Sequence, residues 1–120
     1  MGAAGEPLRS CPDRPNCVSS ESEEASVRVE PLRFAGLPDE AWKRLKEAIQ
    51  ALGGTVEEER NGYLRAIFTS RIFRFVDDLE CRMVVAAGVI HVRSASRVGY
   101  WDLGVNRRRV EALREMFEKP

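Results

Sequence analysis

Histidine is almost missing from this sequence, which has one, and only three cysteines occur in 120 residues. A zinc site of four Cys/His ligands would consume all of them, so no metal is expected. An excess charge of either sign is missing too, since Lys plus Arg and Asp plus Glu each number 19. A neutral chain has no broad pull on nucleic acid or anionic lipid, and either would need a local patch. Nucleic acid is therefore not an expected partner. No apolar run approaches the roughly 20 residues of a membrane-spanning helix. Met1 to Pro7 lacks the basic start and apolar stretch of a signal peptide. As written, the sequence reads as cytoplasmic, and as exported or membrane-associated if a leader has been removed. It also lacks a Walker-type phosphate loop and a dinucleotide fingerprint, so no cofactor is expected. No nucleophile motif occurs: Ser94 and Ser96 have no histidine beside them, and a lone strand residue such as His91 is more often a packing or surface group.

What is present suits one domain with one hydrophobic core, at 43% hydrophobic and 32% charged residues. Residues 1–10 are expected to be flexible and 11–120 to form a single α+β domain. Residues 1–26 read as irregular, because Pro7, Pro12 and Pro15 block regular structure. Val27 to Phe34 reads as an edge strand marked by Pro31. A helix begins at Pro38, carries Ala41, Leu45, Ala48, Ile49 and Leu52 on one stripe, and stops at Gly53-Gly54. Trp42 flanks that stripe. Thr55 to Arg60 and Tyr63 to Ser70 flank the hairpin turn Asn61-Gly62. From Phe73 to Val85 the odd positions are mostly apolar, with a bend or break expected at Asp77-Asp78. Val89 to Ala95 is the next strand, and a helix from Val105 to Glu118 buries Val110, Leu113, Met116 and Phe117. Strands joined by tight turns pair antiparallel. The expected fold is a twisted antiparallel sheet of about five strands with two helices on one face, in the order β-α-β-β-β-β-α. The second face, carrying His91 and Arg93, is expected to be partly wet.

The most distinctive polar chemistry runs from Arg93 to Arg107, leaving a strand, crossing a glycine-containing loop and entering a helix. Amide donors at a helix start beside several arginines favour an anion. On that reading Arg93, Ser94, Ser96, Arg97, Asn106 and Arg107 contact an anionic ligand or a protein partner, oriented by Asp77, Asp78, Glu80 and Asp102. The competing reading is an ion-pair network in which those acids cancel the arginines, which is the commoner outcome. A third reading makes Asp77, Asp78 and Glu80 a general acid–base group or hard-cation site. Asp78 and Glu80 share a strand face, but the nearby arginines compete with a cation. Tyr100 and Trp101 beside Arg97 suit base stacking, or packing under the loop, which the neutral charge favours. Cys11 and Cys17 are not spaced as a redox motif. They read as a loop-closing disulfide in an oxidising compartment and as free thiols in a reducing one, whereas Cys81 reads as core.

Three stretches carry a resemblance. They are Cys11-Pro12-x-x-Pro15-Asn16-Cys17-Val18-Ser19-Ser20, then Ser70 through Arg74-Phe75-x-Asp77-Asp78-x-Glu80, then Arg93-Ser94-Ala95-Ser96-Arg97-x-Gly99-Tyr100-x-Asp102-Leu103-Gly104-x-Asn106-Arg107. In this order they resemble domain of unknown function family 1499, over about Cys11 to Phe117. The resemblance implies bacterial proteins and plastid relatives, some with a signal or membrane segment, and supplies no activity. The reading reached is an uncharacterised binding or assembly module, leaning away from an enzyme. The alternatives are a small enzyme using an acid of the Asp77/Asp78/Glu80 group, or a purely structural network.

Overall fold

The computed structural model describes residues 5–72, 74–99 and 102–118. Six strands and two helices follow one another: β1 (Cys17–Ser19), β2 (Leu32–Arg33), α1 (Pro38–Ala51), β3 (Thr55–Arg60), β4 (Tyr63–Thr69), β5 (Val76–Val84), β6 (Val89–Ser96) and α2 (Val105–Glu118). The sheet is antiparallel, in the order β1-β6-β5-β4-β3, with β2 also paired to β6. The α+β class and the antiparallel sheet with two helices agree with the expectation. The sheet gains one strand at its start.

That extra strand corrects the reading of residues 1–26 as irregular. Pro12 and Pro15 do block structure up to Asn16, but Cys17, Val18 and Ser19 pair with Ala95, Ser94 and Arg93. Three residues are too few to show a period. The strand expected over Val27–Phe34 shrinks to Leu32–Arg33, because Pro31 has no N–H for a ladder and Val29 bonds to the Ser19 carbonyl instead.

The break expected at Asp77-Asp78 does not occur there. β5 keeps an unbroken register through both residues, pairing Asp77 with Phe68 and Ser96, and Asp78 with Ile67 and Ala95. The chain turns earlier, where Ser70 closes a loop on Phe75 and Arg74 takes a left-handed φ of 59°. Asp77 interrupts the apolar alternation because an arginine of α2 meets it on the helix side. Phe73, Tyr100 and Trp101 lie outside the described residues.

The helices cover one face of the sheet. Leu45, Ile49, Leu64, Leu79, Ile90, Leu113, Val110 and Phe117 are all fully buried there. Each such side chain stabilises the fold by about 1.5–3 kcal/mol through removal of apolar surface from water. Gly54 follows α1 where the Phe68 ring and Ile49 lie against the backbone, so close that a Cβ would meet them at 2.6 and 2.7 Å. Met116, expected on the buried stripe of α2, is 41% exposed, and Val85 falls in a short 3₁₀ turn rather than in β5. The second face is drier than expected. Tyr63 and Glu80 are fully buried and Arg93 nearly so, because part of that face lies under the segment leading into β1, where Arg9 reaches Glu80 and Ser10 meets Arg93.

Candidate functional site

Alternation along β5 and β6 divides both the polar residues of the Arg93–Arg107 region and the Asp77–Glu80 acids between the two faces of the sheet. They form two clusters.

On the helix side, Asn106 in the first turn of α2 is fully buried. Its amide NH₂ donates to the Asn16 carbonyl, Ser96 Oγ and an Asp102 carboxylate oxygen, at 2.8 to 3.2 Å. Its Oδ1 accepts from Ser94 Oγ at 2.6 Å and from Arg109 at 2.8 Å. Arg109 also pairs with Asp77 at 2.9 Å and lies over the Phe68 ring. Asp102 caps the helix, accepting from the Gly104 and Asn106 N–H groups at 2.8 and 3.1 Å. Burial alone would raise the Asp102 carboxyl. Donors from the Asn106 side chain and these two N–H groups outweigh it and hold the carboxyl below its ordinary value. The helix N-terminus that suggested an external anion is thus occupied by the chain's own carboxylate.

On the opposite face, Glu80 accepts from Tyr63 Oη at 2.5 Å and pairs with Arg93 at 3.3 Å and Arg9 at 3.5 Å. Burial first, and then the Glu80 bond, push the Tyr63 phenol up. Burial and the neighbouring Arg9 charge lower Arg93, which stays charged as guanidinium groups do. Arg93 also donates to the Ser10 carbonyl at 3.3 Å, and its Nε has no partner among the described residues. Nearby on the same face, Asp78 takes a two-pronged contact from Arg97 at 2.8 and 3.0 Å and a third from Arg65 at 3.1 Å. Burial would raise the Asp78 carboxyl, but Arg97 and Arg65 together hold it below its ordinary value.

A third set of arginine contacts ends on backbone. Arg107 donates to the carbonyls of Ser26 and Arg28 at 2.9 and 3.0 Å, and Arg114 to those of Glu30 and Pro31 at 2.7 and 2.9 Å. Residues 20–31 have few ladder partners, and α2 supplies donors for their carbonyls. Arg109 and Arg114 stand outside the set that sequence reasoning marked as functional. Asn106 and Arg109 are three apart, on one face of the helix, which is a usable signal. The run Arg107-Arg108-Arg109 obscures it, and only geometry tells which of the three arginines faces inward.

His91 has a serine partner that sequence separation concealed. Ser20 Oγ lies 2.9 Å from His91 Nδ1, accepts from the Val92 N–H at 2.8 Å, and is buried. The hydroxyl is committed to β6, which leaves it poorly placed as a nucleophile. Burial lowers the His91 pKa, with Arg82 and Arg28 adding to it and Glu21 opposing. Cys11 and Cys17 are joined by a disulfide, and Cys81 is buried and free. Burial first, then the Glu80 charge, push the Cys81 thiol up. Among the described residues no group of three or more His, Cys, Asp or Glu converges to hold a metal ion, and no helix is long and apolar enough to cross a membrane.

A cavity of about 820 Å³ opens between the disulfide loop, the acidic stretch after β1 and the start of α2. Asp13, Arg14, Glu23 and Glu24 line it, all exposed, and no ion pair engages them among the described residues. Of the residues read from sequence as a site, only Cys11, Cys17, Asp102 and Arg107 line this cavity.

No curated protein matches the chain. The model of a family described as protein of unknown function, DUF1499, matches residues 7–117, which takes in both polar clusters and the disulfide loop, and the chain belongs to that family.

Proposed function

We propose that this protein is a non-enzymatic binding module that receives a polar segment of a protein partner in the cavity beside its disulfide loop. The observation that carries this reading is the contrast between paired and unpaired charge. Asp77, Asp78 and Glu80 each face an arginine at 2.8 to 3.3 Å, whereas Asp13, Arg14, Glu23 and Glu24 line open space with both signs uncompensated among the described residues. Catalytic acids and bases need a free lone pair or proton directed at substrate. Acids held in ion pairs and a histidine bonded to a buried serine support binding over catalysis. The mixed signs around the cavity favour a segment bearing both charges over a simple anion, because the acids there would repel one. Arg107 contributes to the cavity wall while holding residues 26 and 28 in place.

A photo-crosslinker placed at Arg14 in the native host tests this. The expected result is a discrete crosslinked protein that disappears on Glu23→Lys/Glu24→Lys charge reversal, with melting temperature unchanged. The same product from a crosslinker on the exposed face of α1, for example at Glu47, would overturn the reading.

A further inference from the structure

We propose that the end of the sheet formed by the β4–β5 turn and the chain just past β6 docks on an anionic membrane surface. The two segments lie side by side, since the Arg97 N–H donates to the Val76 carbonyl at 3.0 Å. One step further along the same register stand Phe75 and Val98, which are 53% and 57% exposed, and Ile72 at the tip is 83% exposed. Scattered apolar side chains on a surface are ordinary, but three together at one end of a sheet are not.

The charges on the turn have one sign. Residues 70–76 read Ser-Arg-Ile-Phe-Arg-Phe-Val, with two arginines and no acid, while Arg97 beside Val98 is paired with Asp78. Arg71 and Arg74 are exposed and have no ion pair among the described residues. The turn itself is built. The Ser70 N–H donates to the Phe75 carbonyl at 2.9 Å, Ser70 Oγ accepts from the Phe75 N–H at 2.9 Å, and Arg74 sits in the left-handed region. An arginine side chain keeps its charge at the headgroup level while apolar neighbours enter the acyl boundary. Basic residues at such a surface attract anionic lipid, and an apolar tip supplies the second signal that lasting attachment requires. The chain is neutral overall, so this local patch is the feature through which such attraction acts. The surface is separate from the cavity beside the disulfide loop, and neither proposal depends on the other.

The test is flotation of the full chain with phosphatidylcholine vesicles, with and without phosphatidylglycerol. Binding is expected only with phosphatidylglycerol, and weaker as salt rises. Arg71→Gln/Arg74→Gln is expected to weaken it by about 30-fold, from two basic residues each contributing roughly a fivefold factor. Ile72→Ser/Phe75→Ser is expected to weaken it as well, and Ile72→Ser alone, at the 83% exposed tip, to do so with melting temperature unchanged. Glu23→Lys/Glu24→Lys, at the cavity, is expected to leave it intact. Absence of binding to phosphatidylglycerol vesicles at low salt overturns the proposal. So does a concentration-dependent dimer in light scattering that Ile72→Ser/Phe75→Ser dissolves, which would assign the patch to a second copy of the chain.

Discussion

Replacing Glu80 by alanine separates a structural cluster from a ligand site. The Glu80 carboxylate is fully buried and serves Tyr63, Arg93 and Arg9 at 2.5, 3.3 and 3.5 Å. Its removal takes the carboxylate acceptor from a buried phenol and the ion-pair partner from a largely buried guanidinium. Breaking a buried pair from one side costs about 3–5 kcal/mol. For a domain of this size about 1 kcal/mol corresponds to roughly 4 °C, so Glu80→Ala is expected to lower the melting temperature by about 12–20 °C. Tyr63→Phe removes one donor to a charged acceptor and is expected to cost about 1.5–3 kcal/mol. Arg97→Ala is the control on the same face. Its side chain is 49% exposed, and Asp78 retains Arg65 at 3.1 Å, so the expected cost is about 1 kcal/mol or less. Urea unfolding of the three variants with the disulfide intact reads these values. Equal losses for Glu80→Ala and Arg97→Ala, or a loss below about 1 kcal/mol for Glu80→Ala, would show that Glu80 does not hold a structural cluster.

Three further outcomes are expected. Replacing both Cys11 and Cys17 by alanine removes a loop closure of sequence separation 6 and should lower unfolding free energy by about 2 kcal/mol on the chain-entropy estimate, read by urea titration beside the oxidised wild type. The His91 pKa is lowered by folding from 6.5, so the unfolded chain takes up a proton first as pH falls. That stability is present above about pH 6.5 and lost below it, and His91→Gln should flatten the fall in unfolding free energy between about pH 7.5 and 5.5. Gly54→Ala places a methyl against the Phe68 ring and Ile49 and should cost about 1–3 kcal/mol by overpacking, whereas alanine at exposed Gly5, with nothing within 4 Å, should change stability little.

The sheet and both helices were legible because their signals are local. Pro38 with a stripe from Ala41 to Ile49 sets α1, and Asn61-Gly62 sets the hairpin between β3 and β4. β1 was not legible, since its three residues are defined by pairing with β6 at the far end of the chain. The clusters were half legible. That arginines and acids meet near residues 77 to 97 follows from composition and strand neighbours. That Glu80 with Arg93 and Asn106 with Ser94 lie on opposite faces follows from register, which composition does not carry. What satisfies the Arg93, Asn106 and Arg107 donors beyond the acids was the least visible. Ser10, Asn16, Ser26 and Arg28 offer backbone carbonyls, and every residue type offers those alike.

The two clusters bind the chain's own N-terminal segment to the sheet, through Arg9 and Ser10 on one face and Asn16 on the other. Amide hydrogen exchange on wild type, Glu80→Ala and Asn106→Ala measures this directly, residue by residue. The expected result is faster exchange across residues 8–20 in both variants, with α1 and the β3–β4 pair still protected. Uniform loss of protection over the whole sheet, or unchanged protection at Val18 to Ser20, would contradict it.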